Sequence, residues 1–205
     1  MKVYSHPGST CGRKVMTVLA EKGHEVEFEL VDIMKGAQKK PEFLALQPFG
    51  VVPVLDDDGF VLYESRAIIR YLDQKLPGVA LTPSDAKDRA RMEQWFSVEQ
   101  SYVSPAAMKI IMQALFAPMQ GREPDQSLIE AGKADLTRGL DVLEKALNGQ
   151  EYLVASGFSL ADITYMPYFA YLFAANAGDL ITARPNVSAW WSRISARPSW
   201  KKVAG

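Results

Sequence analysis

The pattern of hydrophobic and polar positions divides the chain into two parts with different periodicity. Within residues 1–76, apolar or alternating runs predict strands in "KVYS" and "VEFELVDI", with a helix over 11–21 between them. A lysine-bearing loop and a short helix follow, and "VPVLDDDGFVLYES" predicts a hairpin around an Asp-Gly turn. "SRAIIRYLDQKL" closes this part as a helix. The predicted order is therefore βαβαββα, with a parallel βαβ start and an antiparallel finish.

The second part of the chain shows only helical periodicity. Residues 77–86 cluster Pro, Gly, Thr and Ser, which marks a linker. The next segment predicts two helices or one helix kinked at Pro105, and leucines in a 4-3-4 rhythm predict another helix over 127–149. Two further helices are expected after these. The sequence thus predicts an α/β domain at 1–76 followed by an all-α domain at 87–205.

The stretch "GFSLADI" carries the signature of a helix start. Ser159 and Asp162 have the spacing of an N-cap residue and the third residue of its helix. Phe158 and Ile163 stand at the hydrophobic-staple positions. An aspartate beside a tyrosine-rich helix also raises a catalytic interpretation. We favour the structural role, because a cap alone contributes about 1 kcal/mol to stability.

Composition narrows the possible functions. The 205 residues carry 23 Lys and Arg against 24 Asp and Glu, so no basic field favours nucleic acid and no charged run indicates a membrane surface. The longest apolar stretch, "YMPYFAYLFAANA", is too short to cross a bilayer and predicts a buried helix. The N-terminus shows no signal-peptide pattern. One Cys and two scattered His predict no internal disulfide and no zinc site, so we expect a metal-free cytoplasmic protein.

Three adjacent side chains at the first strand-to-helix turn are candidate nucleophiles: Ser9, Thr10 and Cys11. Backbone N–H groups and the helix dipole at such a turn favour an anion. Ser9 or Thr10 can equally serve as the helix cap, with no chemical role. The residues alone leave these interpretations open.

Four motifs occur in an order that resembles one known family. They are "HPGSTCGRKV" at the first turn, "QPFGVVP" before the hairpin, "YESRAIIRYL" after it and "GFSLADI" in the helical part. The chain resembles the glutathione S-transferase family over essentially its whole length, and the serine-type phi class in particular. The resemblance implies a thioredoxin-like first domain, glutathione as co-substrate, a small apolar electrophile as second substrate, and a cytoplasmic homodimer active in detoxification.

The resemblance implies a donor role for Ser9. Its hydroxyl would donate a hydrogen bond to the sulfur of glutathione and stabilise the thiolate, so that the nucleophile belongs to the bound tripeptide. Cys11 supports a rival interpretation, because beta-class and omega-class members use a cysteine near this turn for thiol–disulfide exchange. "STC" also resembles the "SSC" of the isomerases of the zeta class, although the following "GRKV" departs from that class. A third alternative is a non-catalytic interaction module.

The resemblance assigns glutathione binding to eight positions: Ser9, Gln38, Lys39, Val51, Val52, Pro53, Glu64 and Ser65. Pro53 would follow a cis peptide bond, and the Val52 backbone would pair with the cysteinyl part of glutathione. Val51 replaces a glutamine that is usual in phi members. Because an interaction module needs no ligand-binding set, the presence of these residues argues against the third alternative.

The two ends of glutathione and the second substrate are also assigned by the resemblance. Ser65 would cap the next helix, whose N-terminus suits the γ-glutamyl carboxylate, and Glu64 would meet the γ-glutamyl ammonium. Gln38 and Lys39 stand where the family meets the glycyl carboxylate. The apolar electrophile would lie against a helix of the second domain, at positions Met108, Ile111, Met112, Leu115 and Phe116.

Overall fold

The computed structural model describes residues 1–205, which form two units. The first unit contains residues 1–81 together with 198–205, and the second contains 82–197. The sequence predicts an all-helical domain over 87–205, whereas the structure places residues 198–205 in the first unit.

One four-stranded sheet forms the centre of the first unit. Its strands are β1 (Lys2–Ser5), β2 (Glu27–Leu30), β3 (Val54–Asp57) and β4 (Phe60–Tyr63). Their order is β2-β1-β3-β4, with β1 parallel to β2 and antiparallel to β3, and with β3 antiparallel to β4. Asp58 and Gly59 form the hairpin turn with φ values of 55° and 94°, which are left-handed values that an Asp-Gly turn supplies.

Three helices follow the strands in the predicted order, which confirms the βαβαββα prediction. They are α1 (Thr10–Glu21), α2 (Pro41–Leu44) and α3 (Ser65–Lys75). Two short 3-10 turns, Ile33–Lys35 and Ala37–Lys39, precede α2. The apolar stripes of α1 and α3 are buried, as their helical spacing predicts: Val15, Val18, Leu19, Ile68 and Leu72.

Two ion pairs fix α3 to its neighbours. Lys22, at the end of α1, lies 2.7 Å from the Asp73 carboxylate, and both side chains are almost completely buried. Lys22 also donates to the Asp73 carbonyl at 2.9 Å, so the buried ammonium has a second partner. Asp57 at the end of β3 accepts hydrogen bonds from Lys75 and Tyr71 of α3. Lys75 and then Tyr71 hold the pKa of the Asp57 carboxyl below its usual range.

Helices make up the second unit. They are α4 (Ala86–Val98), α5 (Ser104–Ile111), α6 (Ala117–Met119), α7 (Gln126–Ala146), α8 (Leu160–Ala174), α9 (Asp179–Thr182) and α10 (Pro185–Ser195). The leucines of the 4-3-4 rhythm in and after α7 are buried, and so is most of α8. Every helix is either too short or too polar to span a lipid bilayer.

The helical run from α4 to α6 contains two π-helical segments. Glu99–Val103 separates α4 from α5, and Met112–Phe116 separates α5 from α6. Each segment ends two residues before a proline, at Pro105 and at Pro118. Proline has no N–H to donate and its ring crowds the preceding turn, and the wider π turn accommodates both effects. The interruption predicted at Pro105 therefore takes the form of a π segment.

The start of α8 is a capping box, as the sequence predicts. Asp162 accepts from the Ser159 N–H at 2.9 Å, and the Ser159 hydroxyl accepts from the Ala161 N–H at 3.3 Å. The same carboxylate accepts from the Leu153 N–H at 3.1 Å and from Trp190 Nε1 at 2.8 Å. Burial raises the pKa of the Asp162 carboxyl, and these hydrogen bonds act in the opposite direction. Asp162 has no exposed surface, which confirms the structural role.

Helix α11 (Pro198–Ala204) explains the unexpected boundary of the first unit. It packs against α1, and its Trp200 is buried. The Ser199 hydroxyl donates to the Glu21 carboxylate in the last turn of α1. Because burying a tryptophan contributes strongly to stability, residues 198–205 are held in the first unit.

Candidate active site

Three chain segments meet at one end of the sheet. Tyr4 of β1 pairs with Val54 of β3, and Val54 pairs with Tyr63 of β4. The residues that follow β1, precede β3 and follow β4 therefore lie at the same edge. These are the turn with Ser9, the Val52-Pro53 segment and the start of α3.

Ser9 is the N-cap of α1, with φ −77° and ψ 122°. Its Oγ accepts a hydrogen bond from the Gly12 N–H at 3.0 Å. Accepting that bond uses an oxygen lone pair and leaves the hydroxyl proton available for donation. The cap and the donor role are therefore compatible, and the helix dipole adds a field that favours a negative charge beside the hydroxyl.

Gly12 brings α1 close to β1, and the sequence reasoning missed this contribution. A Cβ atom at this position would lie 2.1 Å from Ser5 Oγ, so any other residue fits only if the Ser5 side chain or its surroundings shift. Gly12 also supplies the N–H that holds the Ser9 hydroxyl oxygen. A glycine inside a helix costs about 1 kcal/mol relative to alanine, and this cost was a signal in the sequence for close packing.

Thr10 and Cys11 occupy the first two positions of α1. Both side chains are partly exposed, and Cys11 is a free thiol. The cap role falls to Ser9 alone among the three candidates. No three His, Cys, Asp or Glu side chains of the protein form a group that could hold a metal ion.

The peptide bond between Val52 and Pro53 is cis, which confirms the prediction. Val52 is partly buried and packs on a cluster that includes Phe43 and Val54. Val51 is half exposed, and its N–H donates to Gln47 Oε1 at 3.4 Å. Gln47 itself is buried, and its side chain holds the backbone of this segment in place. The sequence analysis did not identify this role.

Gln38 and Lys39 lie against the same segment. A Cβ atom at Gly50 would lie 2.8 Å from the Gln38 carbonyl oxygen and 2.9 Å from Lys39 Nζ, so the two chain segments touch there. Lys39 Nζ donates to the Phe49 carbonyl at 3.1 Å, which positions the ammonium without neutralising it. The Gln38 Oε1 atom is buried and has no hydrogen-bond partner. The structure thus brings Gln38 and Lys39 next to the Val51–Val52 segment.

Glu64 and Ser65 begin α3 differently from the expectation. The prediction that Ser65 caps this helix is wrong, because Glu64 is the N-cap and Ser65 is the first helical residue. Glu64 has φ 70° and ψ 106°, a backbone conformation that is costly for a residue other than glycine. No side chain caps α3, and the Glu64 carboxylate is exposed. The first N–H groups of a helix have no partner within it, so this N-terminus suits an external carboxylate.

The residues assigned to the apolar electrophile lie in the second unit, on α5 and the π segment after it. Ile111 is completely buried, whereas Met112 is 37% exposed and Met108, Leu115 and Phe116 are partly exposed. Phe116 packs edge-on against Tyr171, with 5.6 Å between the ring centroids. Four of the five side chains therefore reach the surface of this unit.

Known proteins share this architecture. Residues 1–74 match the family model described as the N-terminal domain of glutathione S-transferase, and residues 107–198 match its C-terminal domain. Glutathione S-transferase F10 of Arabidopsis thaliana is 39% identical, over 100% of this chain and 96% of its own length. The crystal structure of glutathione transferase F7 from Populus trichocarpa has a TM-score of 0.95 at 40% identity, covering 99% of this chain and 97% of that one. Maize glutathione S-transferase I, in complex with an atrazine glutathione conjugate, has a TM-score of 0.91 at 33% identity, covering 99% and 95%.

A thioredoxin-like sheet domain followed by a helical domain defines the general class of this protein. The chain belongs to the glutathione S-transferase family. Its plant relatives carry the F designation of the phi class, so the predicted relationship to that class is confirmed.

Proposed function

We propose that the protein is a glutathione transferase that adds the glutathione thiolate to small apolar electrophiles. The observation that carries the proposal is the meeting of Ser9, the Val52-Pro53 segment and the start of α3 at one end of the sheet. Glutathione has a thiol flanked by two charged ends, and this edge offers a hydroxyl donor flanked by sites for both ends. The family membership supports the same activity.

The chemical step needs a thiolate rather than a thiol. The Ser9 hydroxyl donates to the sulfur, which stabilises the charged form and lowers the pKa of the bound thiol. The thiol proton passes to water when the thiol ionises, and the thiolate sulfur then forms a C–S bond with the electrophile. An aryl halide expels its halide with the bonding electron pair, whereas in an enone the C=C π pair moves to the carbonyl and the resulting enolate takes a proton from water. Ser9 keeps its proton throughout, so its contribution is the electrostatic stabilisation of a preorganised donor.

The two ends of glutathione are bound by charge complementarity. At one end, the N-terminus of α3 receives the γ-glutamyl carboxylate and the exposed Glu64 carboxylate pairs with the γ-glutamyl ammonium. At the other end, Lys39 pairs with the glycyl carboxylate while Gln38 hydrogen-bonds to it. The Val52 backbone pairs with the cysteinyl residue between them. The partly exposed side chains of α5 and the following π segment supply apolar surface for the electrophile.

A direct assay tests the proposed activity. The purified protein is mixed with glutathione and 1-chloro-2,4-dinitrobenzene, and the thioether product is followed by its absorbance. We expect an enzymatic rate well above the spontaneous one, saturable in glutathione. A rate equal to the spontaneous one with several aryl halides and enones would contradict the proposal.

The Glu64 assignment predicts a binding defect. Glu64→Ala removes the carboxylate that meets the γ-glutamyl ammonium, so retention on a glutathione resin should fall about tenfold, the usual scale for one exposed charge-assisted contact. Glu64→Gln keeps the side-chain length and should show a similar loss. Glu29→Ala removes an exposed carboxylate of β2 and serves as the matched control. Equal retention of all three variants, with unchanged circular dichroism, would refute the γ-glutamyl assignment.

A second candidate function is thiol–disulfide exchange through Cys11. It is favoured by one observation, the partial exposure of this free thiol on the first turn of α1. Ser9 rather than Cys11 occupies the cap position, which is why we place conjugation first.

The cellular setting is also a proposal. We infer a cytoplasmic homodimer with a role in detoxification, because the family resemblance implies these properties and the single cysteine of the chain suits a reducing compartment. The expectation that the protein holds no metal follows from its composition, because one Cys and two scattered His supply too few ligands for a common zinc site.

A further inference from the structure

One end of the proposed glutathione site, where the third residue of the tripeptide lies, contains Lys39 and Val51 beside Gly50. Gly50 is buried and has φ 61°, a left-handed value that favours glycine. A Cβ atom there would lie 2.9 Å from Lys39 Nζ, so the Lys39 ammonium lies against the backbone that leads into Val51. Lys39 and Val51 therefore belong to the same end of the site.

Lys39 provides a positive charge without a fixed geometry. Its Nζ donates to the Phe49 carbonyl at 3.1 Å, and because an ammonium has three N–H donors, donors remain for a carboxylate of the ligand. A lysine ammonium is a compact charge on a flexible stem, whereas an arginine fork fixes both oxygens of a carboxylate. Lys39 is exposed, so its stem has room to follow a carboxylate that lies farther from the sulfur. The charge contact therefore tolerates a third residue longer than glycine.

Gln38 adds little that would select for glycine. Its Oε1 atom is buried and has no hydrogen-bond partner in the protein. The acceptor of this amide is therefore turned inward, and only the NH₂ group remains to meet a carboxylate. One amide donor beside one flexible ammonium fixes the position of a carboxylate less tightly than a bidentate pair does.

Val51 offers apolar surface at this end of the site, and its side chain makes no hydrogen bond. It is 49% exposed, while its N–H donates to the buried Gln47 at 3.4 Å, which holds the backbone in place. Burying a methylene group of a ligand against such a half-exposed side chain is favourable. Glycine has no side-chain carbon to make this contact, whereas a third residue with one more methylene has.

We propose that the enzyme accepts γ-glutamylcysteinyl thiols whose third residue is longer than glycine, and γ-glutamylcysteinyl-β-alanine in particular, about as well as glutathione. This inference rests on the proposed conjugation of glutathione. Lys39 meets the displaced carboxylate, and Val51 contacts the additional methylene. The thiol group and the γ-glutamyl end are identical in the two tripeptides, so the bonds that form and break are those of the glutathione reaction.

The first experiment compares three thiols on the wild-type enzyme, with 1-chloro-2,4-dinitrobenzene as electrophile. They are glutathione, γ-glutamylcysteinyl-β-alanine and γ-glutamylcysteine, which lacks a third residue. We expect kcat/KM for the β-alanine thiol to lie within about fivefold of the value for glutathione. The value for γ-glutamylcysteine should fall at least about tenfold, because its carboxylate lies one residue too far from Lys39.

The outcomes separate this inference from the proposed function. Absence of enzymatic activity with all three thiols would refute the conjugation activity itself. Activity with glutathione, together with a kcat/KM for the β-alanine thiol more than about fivefold lower, would overturn the inference about the third residue alone.

A pair of valine variants tests the role of Val51. Val51→Gln replaces the apolar contact with a hydrogen-bonding group, so the ratio of the two kcat/KM values should shift at least about fivefold toward glutathione, and the shift should arise in KM. Val79→Gln is the matched control at a valine of the same unit that is 51% exposed and lies outside the site, and it should shift the ratio less than about twofold.

Lys39→Ala completes the set. It should weaken both tripeptides alike, by about tenfold, because the ammonium meets a carboxylate in each. Equal ratios for Val51→Gln and Val79→Gln would overturn the proposal. Should Val51→Gln fail to fold, the comparison of the thiols on the wild-type enzyme decides.

Discussion

Ser9→Ala is expected to slow conjugation about 10²–10³-fold, the usual scale for the loss of one preorganised donor at a developing or stabilised anion. The affinity for glutathione should fall much less, because the two ends of the tripeptide are bound elsewhere. The profile of rate against pH should shift to higher pH, since the bound thiol loses the donor that stabilises its ionised form. Steady-state kinetics over a pH series, with 1-chloro-2,4-dinitrobenzene as electrophile, measures all three effects.

Controls must separate chemistry from helix capping. Ser9 also caps α1, so its loss should cost about 1 kcal/mol of stability in addition to activity. Asp85→Ala removes the cap of α4 and should cause a similar loss of stability with activity retained. Cys11→Ala should keep most of the conjugating activity, and Thr10→Ala should have a small effect. If Cys11→Ala abolished activity while Ser9→Ala spared it, the enzyme would use thiol–disulfide chemistry.

Asp162→Ala is expected to destabilise the protein by about 3–5 kcal/mol, because each buried donor left without an acceptor costs about 1–3 kcal/mol. The substitution leaves the N–H of Leu153, the N–H of Ser159 and Nε1 of Trp190 without their acceptor inside the helical unit. The melting temperature should fall by about 10 °C, as followed by circular dichroism at 222 nm.

Asp88 provides a matched control for this loss. It occupies the third position of α4, as Asp162 does in α8, but its side chain is partly exposed. Asp88→Ala should cost no more than about 1 kcal/mol, the contribution of a carboxylate near a helix N-terminus. Asp162→Asn keeps the volume and should give an intermediate loss if Asp162→Ala does not fold. Similar melting temperatures for Asp88→Ala and Asp162→Ala would show that burial of the network contributes little.

The sequence predicts most of the sheet domain because each local signal there agrees with the tertiary structure. The alternating run before the hairpin, the Asp58-Gly59 turn and the apolar stripe of α3 all satisfy their local preferences. The capping box at Ser159 is predicted for the same reason. In each case a few neighbouring residues carry the whole signal.

The sequence fails where distant parts of the chain decide the outcome. Strand β2 alternates in sequence, which predicts one buried face, yet all four of its residues are exposed at the edge of the sheet. Residues 198–205 show helical periodicity only, and nothing local indicates that α11 packs against α1 with its Trp200 buried. Such contacts join residues that are far apart in the chain, and the periodicity of a short segment carries no information about them.

The candidate site is predictable in part. The motif around Ser9 and the cis bond before Pro53 follow from the family resemblance. The role of Ser65 does not, because the left-handed backbone of Glu64 shifts the helix start by one residue and has no signature in the sequence. Gln47 and Gly12 support the site through packing alone, and only the structure shows which atoms they touch.

The return of α11 to the first unit makes that unit discontinuous in the chain. A ribosome synthesises β1 to α3 first, and the helix that covers one side of α1 is among the last segments to emerge. During synthesis the surface of α1 that later contacts α11 is open to solvent, and it is covered only after the whole second unit has been translated. Synthesis of the first unit therefore begins before that of the second unit and ends after it. A nascent chain that stops before residue 198 exposes an apolar surface to which chaperones bind.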